Sequence, residues 1–424
     1  MNLKKKKINF ITFFLLFLYI QPILDVFFAV SNNYFDLSIS VNSIIRIIFM
    51  LIAIIYLLFI NKDKKSKIMT IILLAYMTAF SGNIYFSKHI SALIYELKSM
   101  LSTFFFPITL LFLHKYQDNN KLNINKKHFI ILSLIYLGFI LIPNLLGVGF
   151  DTYQTDKQGS VGWFYSANGV GAVLIILLPI GLLYFDKKKK LPFLILYSFL
   201  ILYTFLTIGT KAPLLGLIIL LGFIILWFLI KFIKEKKYKL LIGMGVSCLI
   251  FLTSLILLLP QTNFYKNIIH HMNAFDIYTI NDIFTSNKFI NQVVFSKRLD
   301  FLQVTKNNYH NANLIEKFIG IGYKENQGTL QENIKTIEMD YFDIYYRHGV
   351  IGFIVYFMPL VFVMYDIIKK TKKLTFQKYM YFVSIFLGLL LALFCGHIFT
   401  APAVSIILIY IIVSLKERCE ESES

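Results

Sequence analysis

Residues 187–239 read KKKKLPFLILYSFLILYTFLTIGTKAPLLGLIILLGFIILWFLIKFIKEKKYK. Two apolar runs, 191–208 and 212–230, meet at a short Gly209-Thr210-Lys211 turn, and lysines cluster at both far ends. At about 1.5 Å per residue each run reaches roughly 27–29 Å, close to the ~30 Å hydrocarbon thickness of a bilayer. The segment therefore reads as a helical hairpin that enters a membrane from a basic side and returns to it.

The same unit recurs in both directions. Apolar runs at 8–30, 39–60, 68–86, 99–114, 128–149 and 167–185 precede the hairpin, and runs at 240–260, 348–368, 379–397 and 400–415 follow it. Hydrophobic residues make up 57% of the 424 positions and charged residues 15%, more apolar surface than a water-soluble core of this length requires. The runs do not alternate apolar and polar as the strands of a membrane barrel do, which leaves helices to satisfy the backbone in lipid. The fold expected is an all-α polytopic integral membrane protein of about 12 transmembrane helices with one large extracytoplasmic loop.

The connecting segments divide by charge. Lys4–Lys7, the 61–67 loop, the 115–127 loop, Lys187–Lys190, the 231–239 loop, the 369–378 loop, and Lys416 with Arg418 hold about two-thirds of the 42 basic residues. With twelve crossings all of them fall on one side, so both termini are expected in the cytoplasm. The net charge of +19 is thereby a topological signal and a contact for anionic membrane lipid. It is neither gathered on one domain nor joined to a binding motif, so no nucleic-acid partner is expected. Lys4–Lys7 and the run after them imitate a secretory signal, yet no small-residue cleavage site follows closely and the run is long enough to stay as a span. Cys248 and Cys395 lie in apolar runs and Cys419 in the C-terminal tail, which argues against a disulfide framework.

One segment on the other side is long. Residues 261–347 carry nine basic and nine acidic side chains, so the stretch is charge-balanced, and turn signals such as Gln327-Gly328 interrupt it. This gives three expected regions: helices in 1–260, an extracytoplasmic loop domain in 261–347, and the last three helices with a tail in 348–424. Chemistry is expected in the loop domain. Charges inside or beside the runs fall near the same side: Asp25, Arg46, Glu96, Lys98, Lys211 and His397. Asp25 with Arg46 reads either as a buried pair or as part of an anion pocket that these six groups share.

Three segments resemble the O-antigen ligase and polymerase family of bacterial envelope glycosyltransferases, in the form of its Gram-positive members. Gly162-Trp163-Phe164-Tyr165-Ser166-Ala167-Asn168 leads into an apolar run with Pro179, although Gly169 stands where an acidic residue is expected. Ser296-Lys297-Arg298 and the later Ile319-Gly320-Ile321-Gly322-Tyr323 are similar to the family's Arg-containing helix and Gly-x-Gly turn. Glu338-Met339-Asp340-Tyr341-Phe342-Asp343 leads to Gly349-Val350-Ile351-Gly352; the family often has a His eleven residues before the first of those glycines, and Glu338 holds that position here. Lys211 stands where the family has Arg.

The resemblance implies a class C glycosyltransferase-like fold in a bacterial cytoplasmic membrane. It also implies transfer of a glycan from an undecaprenyl-diphosphate-linked oligosaccharide to a glycan acceptor on the outer face. Such a reaction needs a base for the acceptor proton and cations for the departing diphosphate. Arg298, Arg46 and Lys211 are the candidates for the diphosphate, Arg298 first, because a guanidinium can hold two phosphate oxygens. Glu338 is the candidate base, with Asp340 second. Asp340, Asp343 and Arg347 share a helix face, so Asp343 and Arg347 have the spacing of a simple pair. Trp163, Tyr165 and Asn168 are candidates for glycan contact, or the aromatic pair anchors the membrane interface. Two nearby carboxylates are thin grounds for a metal site, and the expectation is transfer without metal or other cofactor.

Polymerase and ligase differ in an acceptor that no residue identifies. Frequent Lys, Ile, Asn and Phe, as in an AT-rich genome, together with the resemblance to Gram-positive members, make a lipid A acceptor unavailable, and the expectation is a polymerase of capsule-like or teichuronic-type polysaccharide. A transporter or flippase of lipid-linked oligosaccharide is the alternative; it would need charges along a path through both leaflets.

Overall fold

The computed structural model describes residues 10–35, 41–88, 90–120, 122–153, 158–185, 188–273, 289–324 and 336–420. Lys4–Lys7, Lys121, Lys187 and Gln327-Gly328 lie outside the described residues. The helices are α1 (Phe10–Phe35), α2 (Val41–Ile55, continued by a π turn to Ile60), α3 (Lys64–Ser87), α4 (Ile90–Asn119), α5 (Lys126–Leu145), α6 (Ala167–Tyr184), α7 (Leu191–Ile208), α8 (Lys211–Lys234), α9 (Tyr238–Leu258), α10 (Asn263–Asn273), α11 (Arg298–Asn311), α12 (Leu314–Ile319), α13 (Asp340–Lys370), α14 (Phe376–Phe394) and α15 (Pro402–Glu420). Among the described residues ten helices are long and apolar enough to cross a membrane. The chain is an all-α polytopic membrane protein. α9 and α15 occupy the remaining two expected spans; the last turn of α15 carries Lys416, Glu417, Arg418 and Glu420.

The chain folds as two compact units. The first comprises residues 1–128, 299–374 and 392–424, and the second residues 129–298 and 375–391. The expected loop domain is thus shared between them.

In the first unit α15 is the core helix, buried on all sides from Val404 to Leu415. Its continuation, in the segment expected as the C-terminal tail, is buried up to Glu417 and again at Cys419. Lys416 is fully buried and donates to the His114 carbonyl (3.0 Å) and to Asp118, while Glu417 accepts from the Asn123 N–H at 3.0 Å. Cys419 is buried against the Thr371 hydroxyl. Lysine and glutamate are buried here because each finds a partner.

α13 is two helical pieces joined at Gly349, whose φ of 66° and ψ of −176° only glycine adopts without strain. A Cβ at Gly349 would also meet the Phe318 carbonyl, and one at Gly320 the Arg347 carbonyl. The two glycines let the end of α12 lie directly on the break in α13. There the Ile321 and Gly322 N–H groups donate to the Tyr346 and Arg347 carbonyls (3.3 and 3.0 Å), replacing helix bonds lost at the break.

In the second unit α6 is apolar and buried over most of its length. A two-stranded hairpin, β1 (Phe150–Asp151) with β2 (Ser160–Gly162), leads into it. The Thr152 hydroxyl donates to the Ile208 carbonyl (2.9 Å) and the Asn267 amide to the Gly209 carbonyl (3.2 Å), fixing the turn between α7 and α8.

Candidate active site

The site in the first unit begins with the first turn of α13. Asp340 accepts the His397, Ile398 and Phe399 N–H groups at 2.9, 2.7 and 2.7 Å and the Thr400 hydroxyl at 2.9 Å. Its carboxylate clamps the 397–400 turn to the head of α13, and both oxygens are engaged. Asp343 accepts the Ile337 and Met339 N–H groups (3.1 and 3.3 Å) and pairs with Arg347 Nε at 3.0 Å. The pair is nearly inaccessible to solvent, at 6% and 2% exposure, so loss of either partner would strand a buried charge.

These two clamps fix what lies between them. Glu338 precedes the helix, is half-buried, and takes the left-handed φ of 59°; His397 takes 61°. Two non-glycine residues in that region, one on each of the segments the clamps hold, are strain that the clamps keep in place. At Gly396 a Cβ would press on the Glu338 carbonyl, so glycine lets the two strands of backbone approach. Glu338, Asp340, Asp343, Arg347, His397, Thr336, Thr400 and Tyr323 line a cavity of about 50 Å³. That volume holds a hydroxymethyl group or a few waters, not a whole sugar diphosphate. With three carboxylates against one guanidinium, it suits a hydroxyl that gives up a proton better than an anion.

Tyr323, which the Gly-x-Gly turn delivers, also lines the cavity. Arg347 lies over its ring at 4.9 Å, and its hydroxyl meets Thr103 (2.8 Å) and His348 Nε2 (2.7 Å). Burial pushes the Tyr323 phenol up, keeping it neutral. His348, fully buried, also meets the Tyr76 hydroxyl at 3.1 Å through Nδ1. The turn itself is pinned by Glu96, which accepts the Tyr323 N–H (2.8 Å) and pairs with Lys88 at 2.6 Å. Burial pushes the Lys88 ammonium down, with Glu96 opposing. Lys88 also donates to the Ile321 carbonyl at 2.8 Å.

The second unit holds the other candidates. Lys211 opens α8 and donates to the Ser296 hydroxyl at 3.4 Å, two residues before Arg298. Ser296 and Lys297 take φ of 51° and 67°, a sharp turn that starts α11 at Arg298, which is buried. Arg298 acts electrostatically on the Tyr153 phenol, which burial pushes up. Trp163 donates to the Val148 carbonyl (3.2 Å), Tyr165 is exposed, and Asn168 is partly exposed in the first turn of α6.

The family of O-antigen ligase like membrane proteins matches residues 7–288 and 283–419, nearly the whole length. The chain belongs to this family. A search of curated proteins finds no match. Family membership makes it a multi-pass membrane protein of polysaccharide assembly.

For an O-antigen ligase like protein the arrangement departs from one shared anion pocket. Arg46 is held by Asp25 at 2.7 Å and by Gln21 at 2.9 Å, Glu96 is held by Lys88, and none of them lines the cavity. Lys98 is exposed, while His397 reaches the cavity. The structure brings Glu338, Asp340, Asp343 and Arg347 together in the first unit, and Lys211 near the Arg298 turn in the second. His348 and Tyr323 were not among the residues expected at the site. The Tyr that closes Gly-x-Gly and the His beside Gly349 were the available signals. Among the described residues no group of three or more His, Cys, Asp or Glu is disposed to hold a metal.

Proposed function

We propose that this protein is a glycosyltransferase that extends a capsule-like polysaccharide from undecaprenyl-diphosphate-linked units on the outer face of the cytoplasmic membrane. The observation that carries the reading is Glu338: a half-buried carboxylate on left-handed backbone that lines a small cavity with two carboxylates that clamp the frame. Glu338 takes the proton of the acceptor hydroxyl as its oxygen bonds to the anomeric carbon of the donor. The bond from that carbon to the diphosphate breaks, and its electron pair leaves with the diphosphate. Separately, Arg298 and Lys211 of the second unit are the cations proposed to bind diphosphate. Asp340 and Asp343 hold the frame, and Arg347 fixes the orientation of Asp343 and Tyr323. The scheme uses no metal.

Purified protein in vesicles with lipid-linked repeat units tests this by gel. A ladder of lengthening chains is expected, and Arg298→Ala is expected to shorten it at least about 100-fold in rate. Single transfer to a distinct lipid or protein acceptor without a ladder would make the protein a ligase. Movement of the lipid-linked unit across the membrane with no new glycosidic bond would make it a transporter.

A further inference from the structure

The turn before α8 contains a hydroxyl with no hydrogen-bond partner among the described residues. Thr210 is the N-cap of α8, with the extended backbone of a capping residue (φ −92°, ψ 152°). An N-cap Thr ordinarily accepts from the N–H at the second or third helical position. The third position here is Pro213, which has no N–H, and the Thr210 side chain makes no cap bond. Its residue is 5% exposed and Oγ1 has no hydrogen-bond partner among the described residues. A buried hydroxyl in that condition costs stability unless something comes to meet it.

What could meet it is set by the surroundings. α8 runs 24 residues, so its first turn carries the positive end of a long helix dipole, and the Ala212 N–H has no carbonyl to bond within the helix. Lys211 adds an ammonium at the same turn, steadied by Ser296. The two preceding carbonyls, of Ile208 and Gly209, are bound by Thr152 and Asn267, so the turn is fixed before any ligand arrives. Hydroxyl, amide, ammonium and helix end together suit the oxygens of a phosphate.

We propose that Thr210 binds a phosphate of the diphosphate: its hydroxyl donates to one oxygen while the Ala212 N–H and the Lys211 ammonium take others. The inference rests on the reading of a diphosphate leaving group and assigns it a further binding residue. The same chemistry is offered by a lipid-linked diphosphate and by free inorganic diphosphate.

The test uses the full-length protein in nanodiscs and measures binding of inorganic diphosphate calorimetrically, then of undecaprenyl diphosphate. Thr210→Val is expected to weaken binding about 10-fold or more while leaving the melting temperature equal or higher, because the lost hydroxyl had no partner. Thr210→Ser is expected to bind within about 3-fold of the native protein. A merely structural Thr would lower stability without this split. Binding of inorganic diphosphate alone assigns the site to the free ion, and binding of both assigns it to the lipid carrier. Unchanged affinity in Thr210→Val, or no binding of either probe to the native protein, would overturn the proposal. Glu338→Gln run alongside separates the two readings: it should bind diphosphate normally and make no ladder, and a retained ladder would remove the base without touching Thr210.

Discussion

Asp340 clamps the 397–400 turn, Glu338 two residues before it is the proposed base, and single substitutions separate the two. Asp340→Asn loses acceptors for the clamped 397–400 turn and brings a donor against donors, so it should lower stability by about 2–4 kcal/mol, seen as a fall in melting temperature. Glu338→Gln keeps the shape, so the melting temperature should hold while the ladder slows about 100-fold or more. A stable Asp340→Asn with no ladder would instead make Asp340 the base. The distinction was not legible in the sequence. Spacing shows that Asp343 and Arg347 share a helix face, and they do pair at 3.0 Å. It cannot show that the donors for Asp340 come from a turn 57 residues further on.

At the scale of elements, composition and length located the ten helices long and apolar enough to cross a membrane among the described residues, because each span must satisfy its backbone within itself and present an apolar surface. They did not locate the short polar helices α10 and α12. Ends were less legible where a charge is buried. α4 starts at Ile90, earlier than the apolar run, because Glu96 is matched by Lys88 and the Tyr323 N–H. α15 runs on to Glu420 because Lys416 finds Asp118 and the His114 carbonyl. Neither the break in α13 at Gly349 nor the contact of Gly349 with Gly320 was read in the sequence. Gly349→Ala should cost about 2 kcal/mol or more from strain and contact with Phe318, measured by thermal unfolding. An unchanged melting temperature would mean that the two pieces of α13 tolerate a continuous helix.

For the whole molecule, the lysine-rich loops predict sidedness. Lys306 and Lys65 are both exposed, and cysteines introduced at these positions should differ in labelling. Lys306→Cys should react with a membrane-impermeant maleimide on intact cells, and Lys65→Cys only after permeabilisation. The reverse pattern would put the carboxylate cavity on the side away from an outward-facing carrier. Removal of the acceptor proton by a carboxylate is the central step of the proposed reaction. Its most direct measurement is rescue of Glu338→Ala in reconstituted vesicles by added formate at constant ionic strength. The account predicts that the ladder falls about 100-fold or more and is partly restored by formate but not by chloride; a ladder of native rate in Glu338→Ala without formate would contradict it.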